Sequence, residues 1–116
     1  MKIKDGAMTK FLMLTLLSLP GLASASNYAT CLLDKLPGLE NDQAAAAAIQ
    51  VCRADHPGGL EAVTQGDGRG MLGYDSGADC ALDQSGDTRS RTAAYQIRLA
   101  CDRLYNENFF DQFDSR

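Results

Sequence analysis

Four cysteines are the residues of this chain best equipped for chemistry, and their spacing says which chemistry. Cys31 and Cys52 have twenty residues between them, and so do Cys80 and Cys101. A shift of 49 positions lays Ala29, Cys31, Leu33, Asp34, Ala44, Ala45 and Cys52 on Ala78, Cys80, Leu82, Asp83, Ala93, Ala94 and Cys101. Structural zinc sites set paired thiolates roughly two to four residues apart, so no metal is expected here. An even cysteine count behind an export signal predicts a disulfide framework instead. Four cysteines allow three pairings, and the internal repeat selects Cys31–Cys52 with Cys80–Cys101.

His56 is the only histidine. A general base needs a nucleophile or a substrate proton within reach, and no serine or free thiol is placed beside it. It stands at a helix end before Pro57, where histidine commonly serves the last carbonyls. An enzyme centred on His56 is therefore the remote reading, and no cofactor is expected. Asp75, Asp79, Asp83 and Asp87 recur every four residues. On a helix that spacing sets like charges side by side. As a calcium loop the pattern fails, because Gly86 is misplaced and no glutamate closes it. A solvated face is expected, with Asp83 and Asp87 paired to Arg89 or Arg91, contacts worth at most about 1 kcal/mol.

Gly68-Arg69-Gly70-Met71-Leu72-Gly73 spells G-x-G-x-x-G. A dinucleotide site needs a strand before that motif and a helix after it, and the flanking sequence supplies neither. The expected structure is a loop that needs positive φ angles. Successive N–H groups near Arg69 would then offer an anion nest, the basis of a small-ligand reading for Gly66 to Gly77. Tyr105, Phe109, Phe110 and Phe113 form the one aromatic cluster. Either the tail folds back to cap the core, or it stays exposed as a partner-binding patch, which Met71, Leu72 and Tyr74 would complete.

The elements that position these residues follow from pattern. Residues 1–25 read as a signal peptide: Lys2, Lys4 and Lys10 precede an apolar run from Phe11 to Leu19, and Ala23-Ser24-Ala25 gives a cleavage site before Ser26. Met8 is an alternative start. The apolar run falls short of the about 20 residues of a transmembrane helix, so no stable membrane insertion is expected after cleavage. The remaining residues, 26–116, suit one small domain with a net charge of −6. That sign argues against nucleic acid and against anionic lipid.

The first repeat, 27–56, predicts a helical hairpin. One helix spans Tyr28 to Leu36 and stops at Pro37-Gly38. A second is capped by Asn41-Asp42 and runs through five consecutive alanines to Cys52, with Ala45, Ala48, Ile49 and Cys52 on one face. His56-Pro57-Gly58-Gly59 ends it. The second repeat, 78–108, predicts a short helix from Ala78 to Gln84, a turn at Ser85-Gly86-Asp87, and a long helix from about Thr88 to Asn106. Ala93, Ile97, Ala100, Cys101, Leu104 and Tyr105 make its apolar stripe. Arg89 and Arg91 oppose the dipole at its start, a local conflict. The connector, 57–77, holds seven of the eleven glycines, with one helical turn expected within Leu60 to Gln65. The aromatic tail, 109–116, closes the chain.

The disulfide-tied helical hairpins resemble the twin-cysteine coiled-helix proteins in architecture alone. That family carries two C-x9-C motifs, whereas each arm here carries one cysteine, so no function follows. The expectation is an all-α periplasmic or secreted protein of two disulfide-linked hairpins joined by a Gly-rich loop. Its expected role is non-catalytic binding of another envelope or secreted protein, as an inhibitor, immunity-type partner or accessory.

Overall fold

The computed structural model describes residues 26–107; the signal-peptide reading and Phe109, Phe110 and Phe113 lie outside them. Four helices make up the described chain: α1 (Tyr28–Lys35), α2 (Asp42–Asp55), α3 (Gly77–Gln84) and α4 (Arg91–Tyr105), with a 3-10 turn at Leu60–Ala62. No strand occurs among the described residues.

Each helix starts on a side chain that meets its free N–H groups. Asn27 caps α1 in a reciprocal box with Thr30. Asn41 caps α2 by accepting from the Ala44 N–H, Ser76 caps α3 through Asp79, and Ser90 caps α4 through Ala93. α1 stops at Leu36, and Gly38 takes the turn with φ of 83°.

Two disulfides close the two hairpins, Cys31–Cys52 between α1 and α2 and Cys80–Cys101 between α3 and α4. The Cα pairs stand 5.7 and 5.5 Å apart, ordinary for such a bridge. The described residues hold no free cysteine.

α4 is the hub and packs against each of the other three helices. Its buried stripe, Ala93, Ile97, Ala100, Cys101 and Leu104, faces Leu32 and Leu36 of the first hairpin within one core. Removing a side chain of the size of Leu32 or Ile97 from water contributes about 1.5–3 kcal/mol. Alanines at 29, 45, 81, 93 and 100 keep the helices close. A close approach of α3 to α4 occurs at Gly77, where a Cβ would lie 2.7 Å from the Asp102 Cα.

Two expectations need correction. α4 begins at Arg91, three residues later than Thr88, because Ser90 is an extended N-cap. The carboxylates at 83 and 87 do not pair with Arg89 or Arg91. Among the described residues the ion pairs are Arg98–Asp102 and Arg69–Glu107.

Candidate functional site

The connector does two things, and the first is structural. The last carbonyls of α4 lack a full set of intrahelical donors, and the connector supplies them. Gly66 N–H donates to the Arg103 carbonyl at 2.8 Å and Gly68 N–H to that of Leu104 at 2.9 Å. Gln65 Nε2 donates to the carbonyls of Asp102 and Asn106. Arg69 Nη1 donates to that of Tyr105 at 2.5 Å. In return Arg103 donates to the carbonyls of Val63 and Glu61. Val63, 3% exposed, anchors the connector in the core.

This arrangement revises the reading of the glycine motif. Only Gly66 in the loop takes a positive φ, 82°. Gly68 and Gly73 are needed for proximity instead. A Cβ on Gly68 would lie 2.8 Å from Tyr105 Cε1, and one on Gly73 would lie 2.5 Å from the Gly68 carbonyl oxygen. The N–H groups at 67, 68 and 69 all donate to backbone carbonyls, so they form no open anion nest.

The second thing the connector does is present side chains. The base of the loop closes over Tyr105, whose ring meets Tyr74 edge-on at 5.1 Å. The Tyr74 hydroxyl donates to the Asp83 carboxylate and accepts from Gln84 Nε2, which ties the loop to α3. The bond to Asp83 raises the Tyr74 pKa above its ordinary value of 10.0. Above this base stand Met71 and Leu72, 99% and 101% exposed. Of the proposed binding residues, Tyr74 and Tyr105 are therefore supports, and Met71 and Leu72 are the free surface.

No match to a family model, a curated protein or a solved structure accompanies this geometry. Function must be read from the surface itself.

Arg69 forms part of the wall of a cleft of about 590 Å³, together with Leu60, Leu99, Arg103, Asp75 and Glu107. Its guanidinium is already engaged by the Tyr105 carbonyl and lies 3.6 Å from Glu107. His56 lies in a smaller cleft of about 270 Å³ with Asp34, Asp55, Lys35, Thr30 and Cys31. Its backbone N–H closes α2 on the Cys52 carbonyl. The described residues hold no cluster suited to a metal ion and no helix long and apolar enough to cross a membrane. Two disulfides fit an oxidising, extracytoplasmic compartment.

Sequence reasoning missed the capping work of Gln65 and Gly66. No local pattern marks them, because the helix end that Gln65 serves lies 37 to 41 residues downstream.

Proposed function

We propose that this chain is an exported, non-catalytic binding protein that engages another envelope or secreted protein through the tip Gly70–Gly73. One observation carries the reading: Met71 and Leu72 are fully exposed on a loop whose base is fixed by Tyr105, Tyr74 and the end of α4. Exposed adjacent apolar side chains oppose the usual placement of large hydrophobics, and a held base lowers the ordering cost of binding. Two disulfides stiffen the scaffold beneath. The two helix pairs start at matching 49-residue offsets, 28 and 77, then 42 and 91. That regularity supports an origin by duplication of one hairpin.

The test is site-specific photo-crosslinking in the producing cell. A photoreactive residue at position 72 should give a discrete protein adduct, and one at Ala46, exposed on α2, should not. Absence of an adduct from position 72 would overturn the reading.

A second reading has an observation of its own. The cleft walled by Arg69, Arg103, Leu60 and Leu99 has room for a small ligand with an acidic group. It ranks lower because Arg69 is already bonded within the protein. Equilibrium dialysis against small carboxylates would decide it, with loss of binding in Arg103→Ala as the expected signature.

A further inference from the structure

The surroundings of the apolar tip narrow the kind of partner it fits. From position 70 to 88 the chain carries Asp75, Asp79, Asp83 and Asp87 and no lysine or arginine. All four aspartates are exposed. The nearest basic residue before the tip, Arg69, is paired with Glu107 at 3.6 Å. α3 exposes Leu82 at 79%, and the hydrogen bond from Tyr74 to Asp83 fixes the loop beside that helix. The surface thus combines apolar side chains exposed above a held loop base with carboxylates that pair with no basic residue among the described residues.

Resting on the binding function proposed above, we infer that the partner is a protein presenting an apolar pocket rimmed by lysine or arginine. Met71 and Leu72 fill the pocket, where burial of each side chain supplies affinity. The aspartates on and before α3 face the basic rim, where they speed encounter and set orientation. Charge also disfavours the other apolar acceptor, a membrane. Anionic headgroups repel this face, and the basic residue that precedes the tip, Arg69, is paired with Glu107.

The same photo-crosslinker at position 72 tests this, read out by peptide mapping of the adduct. The mapped site on the partner should be an apolar pocket with basic residues at its edge. Adduct yield at limiting concentration should fall roughly tenfold between low and high salt, and by a similar factor in the double variant Asp75→Asn/Asp79→Asn. Both side chains are exposed, and because Asp79 also meets the Ser76 hydroxyl at the start of α3, a cooperative melt well above the assay temperature verifies the fold of the variant. An adduct whose yield ignores salt and both substitutions overturns the basic-rim inference and leaves the binding function intact. No adduct at all defeats both. Flotation of the protein with phosphatidylglycerol or phosphatidylcholine vesicles, lost in Met71→Ser/Leu72→Ser, would assign the tip to lipid and overturn the inference.

Discussion

The Asp42 carboxylate accepts a hydrogen bond from the Ser90 hydroxyl, and the pair joins the N-termini of α2 and α4. Asp42 also accepts from the Thr92 N–H at 3.2 Å, so an acid from one hairpin occupies the positive end of a helix in the other. Around it the two hairpin turns interlock. The Leu39 carbonyl accepts from the N–H groups of Arg89 and Ser90, and Gly38 N–H donates to Thr88 Oγ1. These bonds answer the conflict posed by Arg89 and Arg91, because the α4 dipole is met from outside its own hairpin.

The bonds from Ser90 and Thr92 lower the Asp42 pKa below its ordinary value of 3.8. A depressed folded value means stability that is present above the ordinary carboxyl range and lost as pH falls through the folded pKa. Asp42→Asn is therefore expected to melt at a lower temperature than the parent near neutral pH. The gap should close in acid, once both forms carry a neutral side chain. Thermal melts across that range decide it, and a gap that persists unchanged in acid would assign the effect to something other than charge.

Ser90 serves two partners at once, donating to Asp42 and accepting from the Ala93 N–H. It is 2% exposed, so water cannot readily replace it. Ser90→Ala should cost about 1 kcal/mol or somewhat more, the usual range for a lost N-cap. The double variant with Asp42→Ala should lose less than the sum of the singles, because both remove the same bond. Urea titration of the four proteins gives the coupling, and strict additivity would contradict the shared bond.

Much of this was legible beforehand, for identifiable reasons. The cysteine pairing follows from equal spacing, and the hairpins follow from Pro37-Gly38, Ser85-Gly86 and the apolar stripes. Matching letters did not carry matching burial, however. Ala29 is fully buried while Ala78 is exposed, and Leu33 is half-buried while Leu82 is 79% exposed. α4 is shared by both hairpins, so α3 meets it on one side only, a consequence of tertiary packing that local pattern does not encode. The connector was hardest to read. Its glycines looked conformational, whereas Gly68, Gly73 and Gly77 are set by what lies against them.

Gly77 gives the sharpest test of that distinction. A methyl there would meet Asp102 at its Oδ1, at its Cα 2.7 Å away and at its backbone N 3.0 Å away. The obstruction includes α4 backbone and cannot rotate aside. Gly77→Ala should destabilise by about 1–3 kcal/mol, the scale of overpacking, despite alanine's higher helix propensity. Gly70→Ala, where a Cβ meets nothing within 4 Å, is the control and should leave the urea midpoint nearly unchanged. Equal midpoints for both variants would refute the close contact.

The two disulfides differ in access although they close equal spans of chain. Cys31 is 9% exposed and opens onto the cleft of His56 and Lys35, whereas Cys52, Cys80 and Cys101 are 0% exposed. Exchange requires a thiolate to reach a sulfur, so access orders the rates. Under native conditions limiting dithiothreitol should reduce Cys31–Cys52 first, with Cys80–Cys101 opening only when α3 leaves α4. Timed alkylation and peptide mapping read the order directly. The gap between the two rates should vanish in strong denaturant, where burial no longer separates them. Simultaneous reduction of both bridges in the folded protein would mean that the second hairpin opens far more readily than its packing implies.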